Sequence, residues 1–337
     1  MNRLITLNNG LKVEMIFLQR EEFMRAFVLG NYMNANFLYV DRLPLTGESL
    51  AATRHFQEHG GKGLNLAVGL HRLGVTVDLL MAVGSDEAGA AVKRRLDEEG
   101  MDTTRVLTLG PNSGYGVGFI APDGRNFLAI HLGANALLTA EHIDQARDVF
   151  IHADWVVAQF EIPDPVILHA FRQARRLGKH TYLNPSPWRQ IDNELLALTD
   201  VLVVNANEAA LMFDQLDLEK LTPQDWSEQL PKLARQFGWI GRLLVVTLAE
   251  AGCVALDVVG QVVSQPAYLI QQIDATGAGD AFGSGLVWSL LRGLSLTEAL
   301  CIGNACGALI AAREGILDGL PRCATVEAFM AAAAVPG

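Results

Sequence analysis

The sequence predicts a doubly wound α/β protein, in which helices cover both faces of a mostly parallel sheet and a small β-sheet forms a lid. Strand-like and helix-like patterns alternate along most of the chain. Several strand candidates are runs of consecutive apolar residues, such as Val201–Val204 and Leu243–Val246, which is typical of strands buried on both faces. Two stretches, about 35–60 and 113–131, contain strand-like pieces without an intervening helix, and they predict the lid.

The alternating pattern begins at Ala26–Gly30, which predicts the first strand of the large sheet. Residues 1–25 are mixed in polarity and are interpreted as an N-terminal extension of unknown role. We expect one α/β domain over residues 26–330, which also contributes the lid strands. Further strands and helices are predicted at Leu64–Leu73 (helix), Val75–Val83 (strand), Ala88–Glu99 (helix), Trp155–Val157 (strand) and Pro165–Leu177 (helix). Glycines at 74, 100 and 178 follow the three helices, as expected for residues that end a helix.

Composition narrows the class of function. The formal net charge of −11 disfavours binding to nucleic acid or to anionic membrane surfaces, because a field of that sign repels phosphate. No apolar run reaches the roughly 18 residues that a membrane span needs. The four cysteines form no C-x-x-C pair, and charged residues interrupt any signal-peptide core near the N-terminus. We therefore expect a cytoplasmic protein with reduced thiols.

The first chemical motif is Gly277-Ala278-Gly279-Asp280. Apolar residues at helical spacing follow it over 281–292, so Asp280 is predicted in the first turn of a helix. Free backbone N–H groups at a helix N-terminus bind anions, and an aspartate there can accept a proton from a substrate hydroxyl. Seen alone, the motif is equally consistent with a tight turn and an acid that caps the helix.

A second glycine-rich loop, Gly60-Gly61-Lys62-Gly63-Leu64-Asn65, also precedes a predicted helix. Lys62 and Asn65 are positioned to bind hydroxyl groups in a cleft. The loop is not a Walker A motif, because Gly-Lys is not followed by Ser or Thr. By itself it indicates only a tight turn with polar side chains.

Together the two loops resemble the two signatures of the PfkB carbohydrate kinases, the family of ribokinase. Gly61–Ala67 resembles the first signature, and Asp274–Val287 resembles the second, with Ala275 where threonine is commoner. The segments between and after them that are also similar are Asp123–Asn126, Gly133–Ala136, Gln159–Pro163, Asn184–Pro187, Asn205–Glu208, Thr247–Gly252 and Asn304–Gly315. The resemblance covers roughly residues 26–325.

The resemblance implies a ribokinase-like fold and ATP-dependent phosphorylation of a hydroxymethyl group on a sugar or sugar derivative. It makes Asp280 the general base and the backbone of Gly277, Ala278 and Gly279 the anion hole. The residues implied to bind substrate hydroxyls are Gly61, Lys62, Asn65, Glu161 and Asp280. The residues implied to contact the nucleotide are Asn205, Thr247, Gly252, Gly279 and Asn304.

The resemblance also implies cofactors and a partner. Mg²⁺ is expected with ATP and is organised by Glu208 through water. An activating monovalent cation such as K⁺ is expected near Asp274, Thr276, Ile310, Arg313 and Gly315. A homodimer is expected, because pairing through the lid would cover its edge strands.

Three positions depart from the family pattern. Aligned without gaps from Gly30, the usual sugar-binding aspartate becomes Ala35, whereas a shift of one residue places Asn36 near that position. A missing carboxylate removes a charge-assisted acceptor for two hydroxyls, so the identity of the sugar stays open. Ala249 replaces a common glycine, which is tolerable if its φ is negative. Gly319 replaces a serine near the expected monovalent cation.

Three other functions compete with a sugar kinase. A nucleoside kinase of the same fold needs an apolar wall for the base, for which Tyr32, Phe37, Tyr115 and Phe119 are candidates. A non-catalytic sugar sensor would not need Asp280. A nicotinamide enzyme is disfavoured, because its Gly-x-Gly motif should follow the first strand of the sheet rather than lie near the C-terminus.

Overall fold

The computed structural model describes residues 3–6, 12–15, 24–122 and 126–333. Its strands are, in chain order, β1 (Arg3–Thr6), β2 (Lys12–Met15), β3 (Arg25–Leu29), β4 (Met33–Tyr39), β5 (Arg54–Gly60), β6 (Thr76–Val83), β7 (Val106–Thr108), β8 (Gly114–Ile120), β9 (Asn126–His131), β10 (Trp155–Gln159), β11 (His180–Asn184), β12 (Val201–Asn205), β13 (Leu243–Thr247), β14 (Cys253–Asp257) and β15 (Val262–Gln265).

The helices in the described residues are α1 (Lys62–Arg72), α2 (Glu87–Glu99), α3 (Ala140–Gln145), α4 (Arg147–Phe150), α5 (Asp164–Arg176), α6 (Asn193–Ala197), α7 (Ala206–Met212), α8 (Pro223–Phe237), α9 (Ala278–Leu291), α10 (Leu296–Ala311) and α11 (Cys323–Ala333). None of them is long and apolar enough to cross a membrane.

The large sheet has the strand order β15–β14–β13–β12–β11–β10–β3–β6–β7 within the described residues. Neighbouring strands from β13 to β7 are parallel, and β14 and β15 add an antiparallel edge. Side chains on alternate faces enter two separate cores. Val157 packs with the core that includes Leu286 of α9, and Val156 packs with the core that includes Phe171 of α5. The predicted fold class is therefore confirmed.

The predicted helices are present with small shifts at their ends. The helix predicted over Leu64–Leu73 is α1, which begins at Lys62 because Gly61 is its N-cap with a φ of 118°. The helices predicted from Ala88 and Pro165 are α2 and α5. Gly100 has the left-handed φ of 80° that closes a helix.

The lid is a separate sheet with the order β5–β4–β8–β9. β4 is antiparallel to β5 and parallel to β8, and the predicted small separate sheet is thus confirmed. The turn at 123–125, whose sequence resembles the family hairpin, lies outside the described residues. Most of the predicted extension, residues 1–25, lies outside them as well, although β1 pairs with β2 in antiparallel register.

A buried ion pair connects α1 to α2. Arg72 donates to Glu99 from two nitrogens, and the two side chains are only 5% and 3% exposed. Arg72 Nη1 also donates to the carbonyls of Leu317 and Leu320 at 2.8 Å each. One guanidinium therefore satisfies a carboxylate and two carbonyls that are shielded from water.

Replacing Arg72 with methionine should lower the free energy of unfolding by about 3–5 kcal/mol, because it leaves buried acceptors without their donor. Urea denaturation measures this change. Lys220→Met, which removes an exposed partner of Asp217, is the control and should change little. If the free energy of unfolding falls by less than about 1 kcal/mol in Arg72→Met, then Arg95 and Arg322, which also contact Glu99, are sufficient to stabilise its buried carboxylate.

Candidate active site

Most of the residues singled out in the sequence meet at one edge of the large sheet, where the parallel strands end. Glu161 follows β10, Asn205 ends β12 and Thr247 ends β13. The N-termini of α1 and α9 bring Lys62 and Asp280 to the same region, where Asn65 Nδ2 of α1 donates to Asp280 of α9. Ligands of doubly wound sheets bind at this carboxyl edge.

Asp280 is buried in the first turn of α9. Its Oδ2 accepts a hydrogen bond of 2.7 Å from Asn65 Nδ2. Burial raises the pKa of the Asp280 carboxyl, although the charge of Lys62 and the donor of Asn65 act in the opposite direction. The Oδ1 atom of Asn65 is buried without a partner among the described residues. An unpaired acceptor beside a basic carboxylate is suited to bind the hydroxyl group of a ligand.

Glu161 and Lys62 form the second part of the site. Glu161 Oε2 accepts from the backbone N–H of Lys62 at 2.8 Å. Burial raises the pKa of Glu161 against the opposing charge of Lys62. Burial also disfavours the charged Lys62, but the carboxylates of Asp280, Glu161 and Glu208 outweigh this effect and raise the pKa of its ammonium. The site thus holds one cation among several acids.

Asn31 is a site residue that the sequence interpretation missed. Its Nδ2 donates to Glu161 Oε2 and its Oδ1 accepts from the Gly63 N–H, both at 2.8 Å. A Cβ on Gly61 would lie 2.5 Å from the Asn31 carbonyl oxygen, so this close approach requires glycine. The available signal was a polar residue directly after the first buried strand, at the carboxyl edge of the sheet.

The loop before α9 has the geometry expected of an anion hole. Gly277 is the N-cap of α9 with a left-handed φ of 78°. A Cβ on Gly277 would lie 2.4 Å from Ile316 Cγ2, whereas a Cβ on Gly279 would meet no atom within 4 Å. The first N–H groups of a helix have no partner within it. Open space beside Gly279 therefore leaves room for an anion at this helix end.

A cavity of about 420 Å³ lies next to this loop. It is lined by all the residues implied to contact the nucleotide, namely Asn205, Thr247, Gly252, Gly279 and Asn304. Asn304 Nδ2 donates to the carbonyls of Gln265 and Pro266 at 3.2 and 3.0 Å, which fixes one wall. The cavity also has apolar walls, as small-molecule sites commonly do.

Two residues of the loop after β13 have positive φ angles. Gly252 has a φ of 98°, and a Cβ there would lie 2.1 Å from the Gln265 carbonyl oxygen. Ala249 has a φ of 50°, so the expectation that an alanine would be accommodated here by a negative φ is wrong. Non-glycine residues in this region store about 1–3 kcal/mol of strain.

Glu208 is positioned as a helix cap. Its Oε2 accepts from the Asn205 N–H at 3.0 Å, and Asn205 Oδ1 accepts from the Glu208 N–H at 2.8 Å. No group of three or more His, Cys, Asp or Glu residues that could hold a metal occurs in the described part of the chain. A single carboxylate fits a magnesium ion that is held mainly by water and by substrate phosphates.

The segments implied to bind a monovalent cation lie together. The N–H of Asp274 donates to the carbonyl of Ala311, at the end of α10, at 3.2 Å. Asp274 Oδ1 accepts from the N–H and the hydroxyl of Thr276 at 2.9 and 2.6 Å. The Ile310 carbonyl accepts from the Arg313 N–H at 3.0 Å. The bond between Asp274 and Ala311 holds the two segments side by side, and the other bonds shape each segment.

Gly315 and Gly319 belong to the loop that follows α10. Gly315 has a φ of 86°, and a Cβ on Gly319 would lie 2.7 Å from the Gly315 carbonyl oxygen. In this loop conformation there is no space for a serine at 319. The chain therefore offers no side-chain hydroxyl at that position to a cation.

Only one of the four aromatic candidates for a nucleobase wall lies on the lid face that carries Ala35. Paired residues of neighbouring strands share a face, and Phe37 is on the same face as Ala35, whereas Tyr115 and Phe119 pair with residues of the opposite face. Tyr32 is fully buried and its hydroxyl is 2.8 Å from His59 Nδ1. Tyr32, Tyr115 and Phe119 are thus poorly placed for base stacking.

A buried carboxylate, an open helix N-terminus and a cavity of about 420 Å³ at the carboxyl edge of the sheet are elements expected of a phosphoryl-transfer site. Comparisons with known proteins identify the class more closely. The model of the family described as pfkB family carbohydrate kinase matches residues 25–323. The chain belongs to the pfkB family of carbohydrate kinases.

Relatives and solved structures agree with this assignment. Ribokinase of Staphylococcus aureus (strain COL) is 30% identical over 305 residues, which cover 88% of this chain and 96% of the relative. Deoxyribokinase of Salmonella typhi is 31% identical over 260 residues, covering 76% and 82%. The structure of Arabidopsis thaliana ribokinase complexed with ribose and ATP has a TM-score of 0.81 and 23% identity, covering 91% and 98%, and it supports the fold.

Gly279→Val should weaken ADP binding by at least about tenfold, because the added side chain would project into the cavity. The Tm should change by less than about 3 °C, since a Cβ at this position meets no atom within 4 Å. Isothermal titration calorimetry and thermal unfolding measure the two effects. Unchanged ADP affinity would place the nucleotide elsewhere.

Proposed function

We propose that this protein transfers the γ-phosphoryl group of ATP to a hydroxymethyl group on a sugar or sugar derivative. The observation that carries the proposal is the buried Asp280, which is bonded to Asn65 and directly follows Gly279, a residue that lines the 420 Å³ cavity. A hydroxyl bound at Asp280 would lie close to the phosphates of a nucleotide in that cavity. Such proximity is the main requirement of phosphoryl transfer.

Asp280 acts as the general base in this proposal. Its raised pKa makes it a stronger proton acceptor than an exposed aspartate, which suits the abstraction of a hydroxyl proton. The N–H groups of Gly277, Ala278 and Gly279 stabilise the charge on the transferred phosphoryl group. Magnesium bound with ATP neutralises phosphate charge, with Glu208 and Asn205 as the residues that would hold it through water.

The substrate hydroxyls are held by Gly61, Lys62, Asn65 and Glu161. Asn65 Oδ1 is the free acceptor, and the Lys62 ammonium is the cationic donor.

The same proposal includes three further points: a domain that spans residues 26–330, a monovalent cation bound at 274–276 and 310–315, and a cytoplasmic location. Buried thiols at Cys253, Cys301 and Cys306 agree with a reducing compartment.

A homodimer formed through the lid is part of the proposal as well. Phe127, Leu128 and Ile130 of β9 are 60%, 61% and 44% exposed. β9 is an edge strand of the lid, and apolar edge strands are commonly covered by a partner. A second copy of the chain would cover both the apolar side chains and the free strand edge.

Nucleoside phosphorylation is the second candidate. Ala35 leaves the sugar pocket without the usual carboxylate, and Phe37 lies on the same lid face at half-buried exposure. An aromatic ring near the substrate favours a ligand with a planar base. A sugar sensor is disfavoured, because keeping Asp280 buried near other acids costs stability and serves no purpose without catalysis.

Asp280→Asn should lower kcat by at least about a thousandfold and leave ADP binding within about threefold, because only the proton acceptor is lost. The assay measures ADP release with Mg²⁺ and K⁺ over a panel of pentoses, hexoses, ketoses, sugar acids and nucleosides. Sugar turnover without nucleoside turnover would select the first candidate. Turnover that survives Asp280→Asn would contradict the role of the base.

The pH profile tests the role of Lys62. The rate should fall as the pH drops through the raised pKa of Asp280, since only the ionised carboxylate accepts a proton. Lys62→Met should move this acid limb to higher pH, because the charge of Lys62 lowers the pKa of Asp280. An acid limb that does not move would exclude this electrostatic coupling. Lys93→Met, which removes a surface hydrogen bond to Thr108, is the control.

A further inference from the structure

The lid is fastened to the large domain by contacts that the proposed catalytic mechanism does not use. Arg54 of β5 donates to Glu314 from both terminal nitrogens, at 2.9 and 3.0 Å. Glu58 of the same strand accepts the backbone N–H of Ile316 at 2.8 Å through Oε2. Both partners lie in the loop after α10. The two contacts thus join one strand of the lid to one loop of the large domain.

This loop supports the N-terminus of α9. A Cβ on Gly277 would lie only 2.4 Å from Ile316 Cγ2, so the Ile316 side chain packs against the N-cap glycine. Ile316 is 6% exposed, which leaves it little freedom to move independently of Gly277. Because the N–H of Ile316 is bonded to Glu58, the position of the lid is linked to the position of the anion hole.

Glu58 is directly opposite Ala35 in the register of β4 and β5. Paired side chains on one face lie about 4.5–5.5 Å apart at Cβ. An alanine at 35 leaves room for the Glu58 side chain to turn toward the loop, which a larger acidic side chain would restrict by crowding and by charge. The departure at position 35 and the contact of Glu58 are therefore spatially connected.

The contact made by Glu58 stabilises the position of the lid more than the contact made by Arg54. Glu58 is half-buried, whereas the side chains of Arg54 and Glu314 are 48% and 55% exposed. The guanidinium of Arg54 lies 4.9 Å from the ring centroid of Tyr39, which orients it toward Glu314. Exposed ion pairs contribute little, whereas a hydrogen bond to a charged acceptor contributes more. Glu58 is thus the principal contact.

We propose that Arg54 and Glu58 are positioning residues, which hold the lid on the 314–316 loop and, through Ile316, fix the anion hole at Gly277. This proposal rests on the proposed phosphoryl transfer for its kinetic consequences. The contact itself can be measured without substrate. Neither residue touches the reacting atoms, so each acts through the loop.

Hydrogen–deuterium exchange of the Ile316 amide, measured at pH 8 on the substrate-free protein, tests the contact directly. Glu58→Ala should speed exchange by about tenfold, because it removes the acceptor. Glu58→Gln keeps an acceptor of the same shape and should stay within about threefold of wild type. The control is Glu48→Ala, which removes a lid carboxylate that accepts the Leu45 N–H but makes no contact with the loop. Unchanged exchange in Glu58→Ala would overturn the proposal.

Kinetics then test the positioning role. Glu58→Ala should lower kcat/KM for the acceptor by about tenfold, and Glu58→Gln should recover most of it. Arg54→Glu should lower kcat/KM by about threefold to fivefold. The double variant Arg54→Glu with Glu314→Arg, in which the two charges are exchanged, should restore the wild-type kcat/KM. The positioning role is contradicted if kcat/KM falls as far in Glu58→Gln as in Glu58→Ala. It is also contradicted if the double variant with exchanged charges does not recover kcat/KM.

The two proposals fail in different ways. If the wild-type protein phosphorylates no compound of the panel, the proposed function fails, while amide exchange still decides whether Glu58 holds Ile316. If the wild type is active and Glu58→Ala matches it in both exchange and kcat/KM, only the positioning role fails.

Discussion

Burial of Asp280 at the N-terminus of α9 is the constraint on which the rest of the site depends. A buried carboxylate is costly unless donors and a cation stand close to it. Asn65 supplies the hydrogen bond and Lys62 supplies the charge, and both come from α1. The two helices must therefore pack closely with their N-termini together, which is possible because small residues line their contact. A Cβ on Gly69 of α1, for example, would lie 2.4 Å from Ser284 Oγ of α9.

The same arrangement explains why the site combines an unpaired acceptor with an open helix end. Asn65 uses its amide nitrogen for Asp280, so its oxygen remains for a ligand. Gly277 adopts a left-handed φ to start α9, and Gly279 leaves space where a side chain would stand. Polar groups that folding leaves unsatisfied at a buried site are costly, and a ligand that donates a hydrogen bond to Asn65 Oδ1 would remove that cost.

Most of the fold could be predicted from sequence because its signals are local. Apolar runs such as Val201–Val204 and helices closed by glycines gave the alternation of β and α elements, and the two stretches without helices gave the lid. The residues expected to contact the nucleotide line one cavity. The sequence interpretation missed Asn31 and misjudged the φ of Ala249, because both depend on how distant segments meet. The family resemblance does not report the backbone angle of a particular chain.

The sequence alone determined the order of the elements, the loops that bear Lys62 and Asp280, and the absence of a carboxylate at both position 35 and position 36. These properties follow from residue type and spacing along the chain. Only the tertiary structure decided that Asn31 holds Glu161 and that Glu58 reaches the Ile316 N–H. Those contacts join residues separated by 130 and 258 positions, and no local pattern encodes a distance of that kind.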